Sequence, residues 1–359
     1  MRRDEGLRDR RGSLRGWFRI IGRERPDPHT LFLLVLIGVI FLVMSLVMPS
    51  QFLSATNFES MAFQMSEVGI LTVAMTLAML IGGIDLSVTA TANLSSITAG
   101  LAMIHLAKAG LPTLPEVLVV FLGFMVAIAV GLVCGLMNGV LIGRIGVPAI
   151  LATLGTLTLY TGLAYGITRG RAVHGVPDPV LFFGIGKLLG IPMPLVIFLV
   201  VLVAISMALN HTTYGFKVYL LGSNRTVARF CGINNPGIIL KTHLAAGLLS
   251  AVAGIVTLAR TNSAHADYGS SYILTTILVA VMGGVAVTGG SGRVGGVALA
   301  LAALQMLSTG LNMLLLRFSG SNFFRDFAWG FLLLFVMVFS RTARQKLLQL
   351  QSLRIFSGN

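Results

Sequence analysis

Long apolar runs separated by short polar interruptions organise the chain, and nowhere do apolar and polar positions alternate as they would in a half-buried strand. Runs near residues 31–48, 68–82, 88–106, 117–142, 148–168, 193–209, 238–259, 272–288, 294–316 and 327–340 predict ten helices. The second, third and last fall short of the roughly 20 residues that cross a bilayer, so tilted, broken or fused spans fit the same pattern. A segment in lipid must satisfy its own backbone, and without the period-two pattern of a barrel strand only helices do so. The expected fold is therefore all-α and polytopic, with about ten transmembrane helices between residues 31 and 341 and tails at 1–30 and 342–359.

One polar interruption, Asn210 to Gly237, carries Lys217, Arg225 and Arg229 and no acid. Asn224 has the side chain to cap a helix over Arg225 to Cys231, and Gly232 stands where a left-handed stop would fall. About two helical turns are specified. Val227, Ala228 and Cys231 share one side at i, i+1, i+4 spacing, with Arg225 and Arg229 elsewhere. Such a face suits docking into a shallow protein groove, and it suits equally a helix lying on lipid headgroups.

Glycine marks two further places. Gly82-Gly83 and Gly283-Gly284 each close an apolar run and open a polar segment, GGIDLS in the first half and GGVAVTGGSGR in the second. Equivalent breaks in two halves are the signature of an internally repeated transporter; two ordinary tight turns would read the same way. Asp85 stands just after the first pair, where an acid is costly unless it faces a cavity, a partner or the interface. With Ser87 two residues on, it also reads as the cap of the next helix. Glu67, at the start of the second run, reads as interfacial.

Polar groups within the runs are sparse: Asn93, Asn138, Thr153, Thr156, Thr158, Tyr160, Gln305 and Asn312. Hydroxyls and amides serve a neutral polyhydroxylated solute, yet each one singly is explained as well by bonding between helices or to its own backbone. The candidates for a translocation path or gate are Gly82, Gly83, Asp85, Ser87, Asn93, Gly283, Gly284 and Asn312. The spacing of Gly131, Gly135 and Gly139 predicts close helix packing.

Composition agrees with the pattern: 11% of residues are charged, 55% are hydrophobic and the mean hydropathy is +0.90, where a soluble domain is about a quarter charged. The charge also sets an orientation. With a cytoplasmic amino terminus, 19 of the 26 Lys and Arg fall on cytoplasmic segments. Only Lys108, Arg169, Arg171, Lys187, Arg260, Arg317 and Arg325 fall on the other side. That bias predicts ten spans with both termini in the cytoplasm. The arginines between Arg2 and Arg25 are interleaved with acids and directly precede a run, which points to anionic lipid rather than nucleic acid. Met48-Pro49-Ser50-Gln51 offers no small-x-small cleavage site, so the first run is expected to be retained. Cys134 and Cys231 are too far apart in this topology to pair. No GxxxxGK[ST], HExxH, CxxC or GxSxG occurs, so neither a nucleotide site nor enzymatic or metal chemistry is predicted.

Three stretches in order, IGGIDLSVTA (Ile81–Ala90), YGFKVYLLGSNRTVARFCGIN (Tyr214–Asn234) and VMGGVAVTGGSGRVGG (Val281–Gly296), resemble one family. It is the inner-membrane permeases of binding-protein-dependent ATP-binding-cassette importers of the ribose, xylose and arabinose type. STGLNML (Ser308–Leu314) is similar to that family's last-but-one span, and the resemblance covers nearly all of the chain after Leu31. It implies two related halves of the type II importer kind and a monosaccharide or related small polyhydroxylated solute. It also implies three partners: a second permease subunit, a cytosolic ATPase and a periplasmic sugar-binding protein. ATP and Mg would sit on the ATPase, with no cofactor on this chain. Asn224, Arg225, Val227, Ala228, Arg229, Cys231 and Gly232 would then form the ATPase-coupling helix in the 210–237 loop.

The chain departs from the family pattern at Tyr272-Ile273-Leu274-Thr275, which lacks both acids of the usual Tyr-Glu-Leu-Asp-like segment. ADYGSSY (Ala266–Tyr272) is closer to the autoinducer-2 and deoxysugar branch. The alternatives are an ion-coupled carrier or a channel for a small neutral solute. A carrier would be expected to bury acids or histidines in its spans, and the runs drawn above hold no acid. A channel would not need the capped helix.

Overall fold

The computed structural model of the protein describes residues 28–108 and 115–315, together with Phe327 and Phe331. In chain order the helices are α1 (Pro28–Val47), α2 (Pro49–Phe52), α3 (Ala55–Leu80), α4 (Val88–Lys108), α5 (Glu116–Val140), α6 (Ala149–Thr168), α7 (Phe182–Ile185), α8 (Met193–Asn210), α9 (Thr213–Ser223), α10 (Arg225–Phe230), α11 (Asn235–Thr261), α12 (Tyr272–Met282) and α13 (Val294–Leu315). Nine of the ten drawn runs fall on helices; the tenth, at 327–340, the 342–359 tail and nearly all of the 1–30 tail lie outside the described residues. Among the described residues, seven helices are long and apolar enough to cross a membrane. Among the others, α4 has the length but not the apolarity, and α12 is apolar but short.

Two boundaries differ from the apolar runs for physical reasons. Helix α3 starts at Ala55 rather than near residue 68, because Ser54 caps it through Oγ on the Asn57 amide at 3.2 Å, and its first half is amphipathic rather than apolar. Glu67 therefore lies midway along α3 and is buried, not interfacial. Its Oε2 lies 2.6 Å from Nη2 of Arg260 near the end of α11. Helix α12 stops at Met282 instead of running to 288, since the glycines that follow end it.

Helices α3 and α11 form the centre, and α11 packs along α3, α4 and α5. The predicted stripe of small residues on α5 meets α11: a methyl on Gly131 would lie 2.5 Å from the Gly247 carbonyl, so the two backbones touch. Helix α4 is buried despite Thr89, Thr91, Asn93, Ser95 and Ser96. Helices α1 and α13 pack together, and α8 lies on α3. At one end of the bundle β1 (Val173–His174) pairs antiparallel with β4 (Ser263–Ala264), next to a hairpin of β2 (Lys187–Leu188) and β3 (Ile191–Pro192). The opposite end holds α9, α10 and both glycine breaks.

Candidate functional site at the helix breaks

The first break begins where α3 runs out. The Gly82 amide bonds the Met79 carbonyl at 2.9 Å, the Gly83 amide bonds the Ala78 carbonyl at 3.0 Å, and Gly82 takes φ +77°. That left-handed stop satisfies carbonyls which the helix end would leave bare. Helix α12 ends the same way: Gly284 has φ +89°, its amide bonds Val281 at 3.0 Å and the next amide bonds Ala280 at 3.0 Å. The two breaks also touch. Gly290 donates to the Leu80 carbonyl at 2.9 Å, and Gly82 sits against Thr288. Gly83 and Gly283 are tight packing positions, against Ala149 and against Gly296-Val297 respectively.

Between Gly83 and α4 the chain places Asp85 inside the protein, 3% exposed. Its Oδ1 accepts from the Ser87 amide at 3.0 Å and from Ser87 Oγ at 2.7 Å, while Oδ2 faces His243 Nδ1 of α11 at 3.2 Å. Asp85 thus closes the turn into α4 and also joins a buried pair. Ser87 Oγ accepts from Asn138 Nδ2 of α5 at 2.8 Å, and Asn138 Oδ1 accepts from Thr156 Oγ1 of α6 at 2.8 Å. Thr153, one turn back on α6, donates to the Ile84 carbonyl at 3.0 Å. One continuous network therefore ties the first break to α4, α5, α6 and α11. His243 Nε2 is buried and has no hydrogen-bond partner among the described residues.

Of the other path candidates, Asn93 lies elsewhere: its amide nitrogen donates to the carbonyls of Ala266 at 2.9 Å and Tyr268 at 2.8 Å, holding the segment after β4 at the far end of the bundle. Asn312 sits half-buried on α13 and joins neither group. The sequence reading missed His243. Its signal was available, since an imidazole two turns inside an apolar helix needs a partner. Asn138 and Thr156, each explained singly by the sequence, are joined here to Asp85 through Ser87.

The short helix forms as expected at its ends. Asn224 Oδ1 accepts from the Thr226 amide at 2.9 Å and the Val227 amide at 3.1 Å. Gly232 has φ +75°, and the Ile233 amide reaches back to the Ala228 carbonyl at 3.0 Å. Asn235 Nδ2 donates to the Arg225 carbonyl at 2.8 Å, lashing α10 to the start of α11.

Its faces differ from expectation. Ala228 is fully buried in the protein's own core, so it belongs to no exposed docking face. The exposed apolar side is Val227, Phe230 and Cys231, at i, i+3, i+4 spacing, with Phe230 87% exposed. The physical reason is size, since only a small side chain lets α10 lie close to the bundle. Val227 and Cys231 keep their predicted place on that side, and Phe230 stands there instead of Ala228.

Residues 57–340 match the family model described as "Branched-chain amino acid transport system / permease component". The ribose import permease protein RbsC of Bacillus subtilis is 33% identical over 306 residues, 84% of this chain and 90% of its own length. RbsC of Escherichia coli K12 is 34% identical over 285 residues, 78% of this chain and 85% of its own. The autoinducer 2 import system permease protein LsrD of Enterobacter sp. strain 638 is 33% identical over 252 residues, covering 68% and 74%. No solved structure matches the chain. A helical bundle with membrane-crossing helices, matched over most of its length by one permease model and by permeases of two kinds, belongs to that family of multi-pass transport permease components.

Proposed function

We propose that this chain is the membrane-spanning permease subunit of an ATP-driven, binding-protein-dependent importer of a monosaccharide or related neutral polyhydroxylated solute. The ribose and autoinducer-2 relatives support the solute class. The observation that carries the mechanism is α10. It is a six-residue helix capped at both ends and lashed to α11, with an apolar side that nothing among the described residues covers. An exposed Phe beside Val and Cys is costly in water and is the kind of anchor that fills a groove in a partner. The occupant is a cytosolic ATPase, whose ATP-driven closure would move α10 and, through α11 and the Asp85 network, the helices around it. A second permease copy or homologue and a periplasmic binding protein complete the assembly, with about ten spans, both termini cytoplasmic and lipid around the bundle.

Phe230→Asp tests this. A carboxylate pressed into an apolar groove loses hydration without gaining a partner. Because the side chain is exposed, normal membrane levels are expected together with lost co-purification of the co-expressed ATPase and no solute uptake. Unchanged association and uptake would overturn the reading. Orientation is tested by Cys231, the exposed cysteine among the described residues. An impermeant thiol reagent should label it in inverted vesicles and not in intact spheroplasts.

A second reading, an ion-coupled carrier, draws on one observation: the helices α3 and α11 bury titratable groups, Glu67 and His243, and His243 faces Asp85 with its other nitrogen unpartnered among the described residues. Uptake that stops when the proton gradient is collapsed at constant ATP, and that survives loss of the ATPase, would favour it. The first reading expects the reverse.

A further inference from the structure

At the β1–β4 end of the bundle a cavity of about 490 Å³ lies between α4, α6 and the segment after β4. What distinguishes it is unused hydrogen-bonding capacity. Along α6, Thr158 and Thr168 each donate to their own helix, Thr156 donates to Asn138, and Tyr160 donates to the Cys134 carbonyl at 3.0 Å. This is how hydroxyls in apolar helices are ordinarily satisfied. Thr161 and Tyr165 of the same helix line the cavity, and their hydroxyls bond to nothing among the described residues. Thr89 of α4 and Ser270 and Asp267 of the overlying segment also line it with unengaged side chains.

The segment is held in place rather than loosely draped. Asn93 spends both amide hydrogens on the Ala266 and Tyr268 carbonyls, Ser263 Oγ meets the Tyr268 hydroxyl at 2.8 Å, and the His265 ring stands edge-on to Tyr165. Leu157 and Ile273 supply apolar lining.

We propose that this cavity is a solute-contact site for a neutral polyhydroxylated molecule, formed within one permease subunit by Thr161, Tyr165, Thr89, Ser270 and the Asp267 carboxylate. The inference rests on the function proposed above and names where the solute touches the chain. Hydroxyls of such a solute donate to Asp267 and exchange bonds with the free hydroxyls, while its C–H face lies on Leu157 and Ile273. The lining holds no cation, and its one charged group is an acid. A sugar phosphate therefore finds repulsion instead of a partner. Five free groups around an open cavity make a weak site, suited to passing solute on.

The test uses the full chain with its co-expressed ATPase, in spheroplasts, carrying Thr161→Cys; Cys134 is buried and Cys231 lies on the cytosolic side of the proposed topology, beyond an impermeant reagent. A membrane-impermeant thiol reagent should label the introduced thiol. D-ribose, a 2-deoxypentose or glycerol, at about ten times its dissociation constant, should slow labelling about tenfold. Ribose 5-phosphate at the same concentration should not. Adding Asp267→Asn should let ribose 5-phosphate protect. Leu163→Cys, on the neighbouring apolar groove of α6, should be indifferent to every solute. Absent labelling of the Thr161→Cys variant, absent protection by all three neutral polyols, or equal protection by ribose and its phosphate would overturn the site. Co-purification of the ATPase with the same variants reports separately on the proposed function, so either can fail alone.

Discussion

The two glycine breaks share one backbone device and differ in what fills them. Both α3 and α12 end on a left-handed glycine whose neighbouring amides reach back into the last turn. After the first stop the chain sinks Asp85 into the bundle and recruits Ser87 from the turn into α4 and His243, Asn138 and Thr156 from three helices. After the second it closes mainly on backbone. Ala286 donates to the Ser291 carbonyl at 3.0 Å, Gly290 donates to Leu80, and Tyr219 of α9 donates to the Gly292 carbonyl at 2.9 Å. A buried charge holds its surroundings only while every partner is present, whereas a backbone closure tolerates the loss of one bond. The first break is therefore a fixed joint and the second an adaptable one.

The contrast is broken first at Asp85. Asp85→Leu removes the acceptor for His243 and Ser87 together, and deleting one partner of a buried pair costs about 3–5 kcal/mol. Thermal unfolding of the purified protein should show that loss, with Asp85→Asn milder because it keeps an acceptor for Ser87. A Leu variant as stable as the parent would mean that the network holds nothing.

The glycines come next. Alanine at Gly82 or at Gly284 must adopt a left-handed conformation, at about 1–2 kcal/mol each. The added methyl at Gly82 would also lie 3.1 Å from the Thr288 carbonyl, whereas at Gly284 it would meet the His29 imidazole, a side chain that can turn away. Gly82→Ala should therefore lower the unfolding midpoint more than Gly284→Ala; the opposite order would mean that the second break is the stiffer.

The smallest effect belongs to Tyr219→Phe, which removes one hydrogen bond to a carbonyl at about 1 kcal/mol. Burial holds the Tyr219 phenol above its ordinary pKa. Protonation is favoured in the folded state, so the bond's contribution is complete below the unfolded phenol's pKa and is lost as pH rises through the folded one. The stability difference between parent and Tyr219→Phe should accordingly shrink in that alkaline window and nowhere below it.

Much of this was legible from pattern alone. Apolar runs located nine described helices, Asn224 and Gly232 set the ends of α10, and the glycine pairs marked the breaks. The unreadable part was lateral. A run records where a helix is apolar and not where it is capped, so the amphipathic first half of α3 and the burial of Glu67 escaped. The side of α10 that faces inward depends on what lies beneath it, and Ala228 against Phe230 is decided by that neighbour. His243 and Asp85 are 158 residues apart, a contact that no local spacing encodes.

Helix α4 carries a consequence for how the chain is made. Its asparagine, its serines and most of its threonines are buried among α3, α5, α6 and α11, and it is less apolar than α3 and α5, its neighbours along the chain. During synthesis α3 and α5 therefore gain more from leaving the translocon for lipid than α4 does. It should enter the bilayer as the middle member of the α3–α4–α5 trio and wait, incompletely packed, until α11 emerges from the ribosome to close over it. Chains truncated before α11 should then leave α4 the least protected of the early helices, open to quality-control proteases that recognise polar surface in a membrane.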